Sequence, residues 1–135
     1  MTLTLRVLAP DQSVFDGSAD EVILPSTTGQ VGILPGHVTM LAALETGVMQ
    51  LKAAGEWTSI VLLGGFAEVE SDEVTVLVNG AELGSSIDRS AAEAELEAAQ
   101  QAAAAFEGLA PSTEKLKAQQ ALARAKARLA ASNAS

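Results

Sequence analysis

The sequence predicts an N-terminal β-sandwich followed by a C-terminal antiparallel two-helix hairpin. All eleven valines, all four isoleucines and ten of the eleven glycines lie in residues 1–87, in short alternating runs. Residues 88–135 contain no valine or isoleucine but eighteen alanines. β-branched residues favour strands and alanine favours helix. We therefore expect a β-sandwich domain over residues 1–87 and a helical hairpin over residues 88–135.

Eight short strands are expected in the first part, each an alternating or apolar run bounded by turn residues. The runs are 3–9, 14–15, 21–24, 30–34, 48–53, 57–63, 66–70 and 73–78. Pro10 and Pro35 begin turns. The adjacent Gly64 and Gly65 indicate a bulge or bend, because glycine tolerates backbone angles that other residues avoid. Short strands at this spacing point to a sandwich or a flattened barrel.

The second part predicts two amphipathic helices separated by Gly108 and Pro111. Asp88 is the expected N-cap of the first helix, with a Ser90–Glu93 capping box as an alternative start, and Ser112 caps the second. The two apolar stripes are Ala92, Leu96, Ala99, Ala103 and Phe106, and Ala118, Leu122, Ala125 and Leu129. Burial stabilises by roughly 25 cal/mol per Å², and alanine buries little. We expect a segment that stays helical but can change where it docks.

Charge and composition exclude several classes of function. The net charge of −9 divides into −9 over residues 1–87, −4 over 88–111 and +4 over 112–135. An acidic body repels nucleic acid phosphates, so no nucleic acid partner is expected. The absence of cysteine excludes disulfides, thiolate metal sites and cysteine nucleophiles. No apolar run approaches the ~20 residues of a membrane span, and the first residues lack the features of a signal peptide. Direct membrane insertion is not expected.

His37 is the only histidine, and it follows a turn in the segment LPGH. A metal site or a catalytic triad would depend on it, but without cysteine or a second histidine a metal site is not expected. The expected role is a loop histidine that bonds local backbone. One class of function that the residues leave open is a small hydrolase or a metal-dependent sandwich enzyme, which a His37 substitution would test. The glycine pairs match no phosphate-binding loop.

The basic residues of the second helix have two interpretations. At about 100° per residue, Lys117, Arg124 and Arg128 share one face, and Lys115 and Lys126 flank the apolar stripe. They form either a solvated face with salt bridges to Glu95 or Glu107, each worth about 0.2–1 kcal/mol, or a cationic ridge presented to an acidic partner.

Several segments together resemble the epsilon subunits of F-type ATP synthases. These segments are GQVGILPGH at 29–37, GGFAEV at 64–69 and VTVLV at 74–78. The opening MTLTLRVL and the segment VNGAE at 78–82 are similar to the cyanobacterial and chloroplast branch. The likeness covers the whole chain in order, including the alanine-rich hairpin.

This resemblance implies a non-enzymatic rotor subunit of the central stalk, with a ten-strand sandwich. Such a subunit binds the γ subunit and the ring of c subunits, and couples proton flow to ATP synthesis performed elsewhere. Its helices, when extended, restrain ATP hydrolysis by contacting acidic segments of the catalytic β subunits, a role implied for Lys117, Arg124, Arg128, Lys115 and Lys126. The loop 28–37 would lie near the ring, with Gln30 where some bacterial relatives carry an acid, and with His37. The isolated chain would be a monomer.

The same resemblance implies that the chain is a peripheral membrane protein that does not insert into the membrane. The expected location is the cytoplasmic face of a thylakoid or plasma membrane, or the stromal face of a chloroplast thylakoid. Some family members bind ATP through I-D-x-x-R-A at the start of the first helix. Ile87 and Asp88 match this motif, but Ala91 occupies the arginine position. A triphosphate needs cationic partners, so we expect weak or no ATP binding, no cofactor, and Asp88 chiefly as a cap.

A second function class is left open by the residues themselves. A stand-alone β-sandwich adaptor could use its basic helical hairpin to bind an acidic protein partner outside any rotary enzyme. Co-purification with γ and c subunits separates this adaptor from the rotor subunit.

Overall fold

The computed structural model describes residues 2–134, with side chains to Ser132; Met1 and Ser135, at the two ends of the predicted units, lie outside the described residues. The strands are β1 (Leu3–Ala9), β2 (Gln12–Ala19), β3 (Glu21–Ser26), β4 (Gly29–Ile33), β5 (Met40–Ala53), β6 (Glu56–Glu70), β7 (Glu73–Val78) and β8 (Ala81–Leu83). A 3-10 turn (Gly84–Ser86) leads into the helices α1 (Arg89–Ala104) and α2 (Thr113–Ala134).

The strands form one hydrogen-bonded sheet that folds over into two layers. The order is β2-β1-β7-β6-β5-β3-β4, and β8 pairs with β6. The long strands β5 and β6 pair antiparallel along their whole length. One half of each joins β7, β1 and β2 in the β7 layer, and the other half joins β3, β4 and β8 in the β8 layer.

The implied count of ten strands is wrong, since residues 2–134 form eight. Ten is reached only if the shared strands β5 and β6 are counted once in each layer. Eight is also the number of strands predicted from the residues, but several predicted strand boundaries differ from the observed ones. The predicted strands 57–63 and 66–70 are one strand, β5 starts at Met40 rather than at residue 48, and β8 was not predicted.

Gly64 and Gly65 explain why β6 continues through its bend. Both have positive φ, 84° and 150°, and the ladder to β5 keeps its register on either side of them. Ile60 and Leu62 face the core before the bend, and Ala67 and Val69 face it afterwards. The glycines therefore form the bend rather than the bulge of the two predicted alternatives, because no extra residue enters the ladder. The inward-facing positions of β6 change from even to odd numbers there, and the strand does not end.

The main core lies between the two layers. Leu3, Leu5 and Val7 of β1 are fully buried, as their alternation predicts, and pack with residues of β3, β5, β6 and β7. The remaining core lies outside the sandwich, where α2 packs on β5 and β6 and α1 packs on α2. The predicted helical hairpin is therefore confirmed, and it covers the outer face of the β8 layer.

The helix ends are set by specific caps. Asp88 Oδ1 accepts a hydrogen bond from the Ser90 N–H at 3.0 Å, so Asp88 is the N-cap and the alternative capping box is not used. Ser112 Oγ accepts from the Lys115 N–H at 3.1 Å, as predicted. α1 ends at Ala104, four residues before the predicted stop at Gly108, and turns connect the two. Within the described residues, neither helix is apolar enough over a sufficient length to cross a membrane.

Candidate functional site

Arg128 joins the sandwich to both helices. Its Nε donates to Glu82 Oε2 at 3.0 Å and its Nη2 donates to Glu82 Oε1 at 3.0 Å, which forms a two-pronged ion pair with β8. Its Nη1 donates to Glu95 Oε2 on α1. We call these three residues the Arg128 clasp. A bidentate arginine–carboxylate pair fixes geometry as well as charge, so the clasp defines how the hairpin lies on the sandwich.

The clasp is partly shielded from solvent. The side chains of Arg128, Glu82 and Glu95 are 21%, 33% and 40% exposed. The hydrogen bonds to Glu82 raise the pKa of Arg128 above its ordinary value, although partial burial opposes this. A raised folded-state pKa contributes stability at every pH below the ordinary arginine value, and that contribution is lost only as pH rises through the folded-state value. The arginine therefore stays charged throughout the neutral range.

The predicted basic set is divided by the structure. Lys117, Arg124 and Lys126 are exposed, and they form no salt bridge with any other residue of the described part of the chain. Lys115 is half-buried and donates from Nζ to the Leu109 carbonyl at 2.8 Å. Arg128 points instead to Glu82 and Glu95, so one of the two pairings expected of a solvated face, that with Glu95, is confirmed. The use of these residues by a partner stays a prediction.

A second packing face on α2 turns Arg128 inwards. Leu122 of the predicted stripe lies beside Ala103 and Ala104 of α1, but Ala127 and Ala131 are buried against Val61 of β6. Ala123 precedes them at the same spacing of four residues and is half-buried. Sequence reasoning missed this face because it assigned only one stripe to α2. The i, i+4 alanine series 123, 127, 131 was the available signal.

The sheet surface under α2 contains an unpaired hydroxyl. Ser59 alternates with Val61 on the outer face of β6, and its side chain is fully buried. Its Oγ has no hydrogen-bond partner in the described part of the chain. A buried polar group without a partner disfavours the state that buries it. The docked hairpin is thus held by alanine contacts and the clasp, and opposed at Ser59.

The opposite outer face, on the β7 layer, has an apolar row open to solvent. Ala43, Phe66, Leu77 and Leu8 are consecutive cross-strand neighbours on β5, β6, β7 and β1. We call these four residues the apolar row. Phe66 is 57% exposed and Leu77 is 53% exposed, and the row lines a shallow groove of roughly 570 Å³. Sequence reasoning missed it, although apolar residues on both faces of β7 were a visible signal.

The loop after β4 presents a second apolar surface. Leu34 and Val38 of this loop are exposed, Val38 to 74%, and so is Leu41 at the start of β5. His37 Nδ1 donates to its neighbour's carbonyl, Val38 O, at 2.7 Å, which confirms the expected local bond. The Gly36 N–H donates to Asp72 Oδ1 at 2.7 Å, which ties this loop to the β6–β7 turn.

The other predicted site residues lie on the surface of β4 or at the start of α1. Gln30 is exposed on β4, and Ala91 is exposed in the first turn of α1. Arg89 pairs with Glu93 at 3.2 Å along the surface of α1. No group of three or more acidic or histidine side chains in residues 2–132 could hold a metal ion. Asp88 acts as the N-cap of α1. Its expected weak binding of nucleotide stays a prediction.

Two family models match the chain in succession. Residues 2–84 match the ATP synthase delta/epsilon chain β-sandwich domain. Residues 85–133 match the long α-helix domain of the same chains. The matched boundary falls within three residues of the predicted division at 87 and 88.

Curated relatives are similar over nearly the whole chain. The ATP synthase epsilon chain of Synechococcus sp. strain WH7803 is 68% identical over 131 residues, covering 97% of this chain and 96% of the relative. That of Prochlorococcus marinus strain MIT 9313 is 67% identical over 131 residues, covering 97% and 98%. That of Synechococcus sp. strain RCC307 is 58% identical over 134 residues, covering 99% of each chain.

Solved structures share the fold at low identity. A chain of the Euglena gracilis mitochondrial ATP synthase OSCP/F1/c-ring structure aligns with a TM-score of 0.82 and 20% identity, covering 96% of this chain and 81% of that one. A chain of the Tetrahymena thermophila mitochondrial ATP synthase central stalk/c-ring structure aligns with a TM-score of 0.63 and 13% identity, covering 97% and 96%.

Proposed function

The chain belongs to the ATP synthase delta/epsilon chain family, and we propose that its sandwich binds the γ subunit and the ring of c subunits while its hairpin restrains ATP hydrolysis. It is an epsilon-type, non-catalytic subunit of the rotary complex, because its relatives are ATP synthase epsilon chains over nearly their whole length. This membership decides against the stand-alone adaptor and the small hydrolase.

The observation that carries the proposal is the inequality of the two outer faces of the sandwich. The outer face of the β8 layer is covered by α2, largely through alanines. The outer face of the β7 layer leaves Phe66 and Leu77 in solvent. A partner that stays bound requires a rigid surface that is always exposed. A regulatory arm requires contacts whose loss changes the free energy only a little. The two faces fit these two requirements.

The apolar row is the proposed seat of the γ subunit. Large apolar side chains exposed as a group mark interaction surfaces in soluble proteins. The row crosses four strands, so its geometry is fixed by the sheet and little is lost in ordering it on binding. In the parallel row of the same face, Glu68 pairs across the sheet with Thr75, and Thr75 with Arg6, which gives the apolar surface the polar rim typical of interfaces.

The proposed contact with the ring is the segment 28–37, which contains β4 and part of the loop after it, together with Val38 and Leu41. Val38 and Leu41 are the most exposed large apolar side chains of the sandwich, and Leu34 is exposed as well. The bond from Gly36 to Asp72 fixes the loop relative to β6 and β7. Gln30, on β4 within this segment, supplies a neutral polar group, so this contact does not depend on an ion pair there. His37 lies within the same surface.

The hairpin is the proposed inhibitory arm. Lys117, Arg124 and Lys126 are exposed while the hairpin is docked, so an acidic segment of a catalytic β subunit can attract α2 before it undocks. Alanine makes both helices locally favourable but contributes small contact areas. The arm can therefore leave the sandwich without losing its helices.

Assembly of the complex tests the division of labour. We expect a Phe66→Ser and Leu77→Ser double variant to lower binding to γ by ten-fold or more, while Thr75→Ser on the same face leaves it unchanged. A chain ending at residue 87 should still bind γ and should no longer inhibit hydrolysis. If that shortened chain fails to bind γ, or the double variant binds as the native chain does, the assignment of the two faces is wrong.

The remaining proposals follow from membership in the complex. We place the chain on the cytoplasmic face of a thylakoid or plasma membrane, or on the stromal face of a chloroplast thylakoid, as a peripheral component. We propose that it is a monomer when isolated and binds ATP weakly or not at all, since Ala91 offers no cation to a triphosphate. Calorimetry with ATP at millimolar concentration tests the last point.

A further inference from the structure

We infer that Arg128 has two alternative sets of acidic partners: Glu82 and Glu95 while the hairpin is docked, and an acidic peptide segment of a neighbouring subunit once the hairpin is raised. This inference rests on the proposed function, which supplies the raised state. It gives Glu82 and Glu95 a regulatory role. They compete with the partner for one guanidinium group, and so they set the fraction of chains that can inhibit.

The two states compete because all three nitrogens of the guanidinium are paired with carboxylates when the hairpin is docked. Its Nε and Nη2 are held by Glu82, and its Nη1 by Glu95. The side chain is only 21% exposed, and the Nε–Nη2 edge, where a partner's carboxylate would form the same two-pronged pair, is already occupied by Glu82. Lys117, Arg124 and Lys126 are exposed in the same state. These three can meet a partner at any time, whereas Arg128 must be released first.

Glu82 and Glu95 hold Arg128 at different joints. Glu82 lies on β8, opposite Val61, on the sheet face that α2 covers. Its bond to Arg128 therefore breaks as soon as α2 leaves the sandwich. Glu95 lies on α1 and is carried with the hairpin, so its bond breaks only when the two helices separate. Loss of Glu82 therefore weakens the attachment of α2 to the sandwich, and loss of Glu95 weakens the contact between α1 and α2.

The exchange of acidic partners replaces one arginine–carboxylate pair by another. The populations of the docked and raised states are therefore sensitive to small changes in either pair. An arginine–carboxylate pair is given up and an arginine–carboxylate pair is formed, so the difference in free energy between the states is far smaller than the strength of either pair. Glu82 and Glu95 remain near solvent after release, and the desolvation penalty of an orphaned buried charge is avoided. A neutralised carboxylate on one side then shifts the populations directly.

Hydrogen exchange on the isolated full-length chain tests the clasp itself. We expect Glu82→Gln, Glu82→Ala and Arg128→Ala each to speed exchange of the α2 amides about ten-fold, and Glu95→Gln to speed exchange along the contact between α1 and α2. Glu97→Gln is the matched control, since Glu97 is an exposed glutamate of the same helix, and it should leave exchange unchanged. Native exchange rates in both Glu82 variants would overturn the inference.

ATP hydrolysis by the reassembled complex tests the exchange of partners. We expect Glu82→Gln and Glu95→Gln to lower residual hydrolysis several-fold, because more arms are free and Arg128 is intact. Arg128→Ala also frees the arm, yet it should inhibit less than the native chain because the partner contact is missing. If Arg128→Ala inhibits as strongly as Glu82→Gln, Arg128 makes no contact with the partner and the inference is overturned.

A failure of the proposed function gives a different pattern. If the native chain and all variants leave hydrolysis unchanged while hydrogen exchange still responds to Glu82, the clasp exists but the inhibitory arm does not, and the exchange of partners falls with it. If hydrolysis responds to Lys117 and Arg124 substitutions but not to those of the clasp, the arm stands and the competition for Arg128 is overturned.

Discussion

Asp72 Oδ1 accepts a hydrogen bond from the Gly36 N–H at 2.7 Å, across 36 residues of sequence. Asp72 and the preceding Ser71 both have positive φ, 64° and 50°, in the tight turn between β6 and β7. The carbonyl of Asp72 also accepts from the Thr4 N–H at 2.8 Å. One turn residue therefore fixes both the edge of β1 and the loop proposed to meet the ring.

Replacing Asp72 should loosen that loop without unfolding the sandwich. We expect Asp72→Gly to weaken attachment to the ring several-fold while binding to γ is kept, since glycine suits the positive φ but offers no acceptor to Gly36. Asp72→Asn is the control, because asparagine tolerates the same backbone angles and keeps an oxygen acceptor. Co-sedimentation with ring-containing membranes measures the effect. Equal attachment of the glycine variant would show that the bond does not organise the loop.

Gly65 should tolerate no side chain. A Cβ built there would lie 2.1 Å from the Leu77 carbonyl oxygen, and φ is 150°. Backbone would have to move at the bend that joins the two layers, so we expect Gly65→Ala to lower the free energy of unfolding by about 3 kcal/mol. Gly32→Ala is the control, since nothing lies within 4 Å of its added Cβ. Urea unfolding of both variants decides; equal midpoints would contradict the prediction.

Much of the sandwich could be predicted because its signals are local. Leu3, Leu5 and Val7 alternate with polar residues, and burying them fixes β1 without knowledge of its neighbours. The first half of β5 carries no such signal, because LAALETG is equally suited to a helix. It forms a strand because β6 pairs with it residue by residue, from Met40 opposite Val69 onward. Tertiary pairing decided what the local sequence left open.

The candidate site was less accessible to sequence reasoning. Arg128 and Glu82 are 46 residues apart, and no spacing rule brings a β8 residue to a helix. The second stripe on α2 was hidden by composition, because eighteen alanines in residues 88–135 allow several equally good stripes. Helical geometry predicts a shared face for Lys117, Arg124 and Arg128. Packing on two surfaces then separated Arg128 from the other two.

Ser59 offers a way to strengthen docking. Its hydroxyl is fully buried and unpaired within the described residues, so Ser59→Ala should stabilise the docked hairpin by about 1 kcal/mol. Slower exchange of α2 amides and weaker inhibition of ATP hydrolysis should accompany it. Ser18→Ala, at an exposed serine of β2, should change neither. Faster exchange in the Ser59 variant would mean that the hydroxyl has a supporting role in the interface.

Lys117 and Arg124 should contribute to inhibition without affecting docking. Both are exposed on α2, so Lys117→Gln with Arg124→Gln should leave α2 exchange at the native rate. The same pair should relieve inhibition of the reassembled ATPase, because two charges fewer meet the acidic segment. Salt screens exposed charges over about 10 Å at 0.1 M ionic strength, so native inhibition should fall with added salt more steeply than that of the double variant. Unchanged inhibition, with an unchanged salt dependence, would remove the cationic ridge from the mechanism and leave the hairpin to act by shape alone.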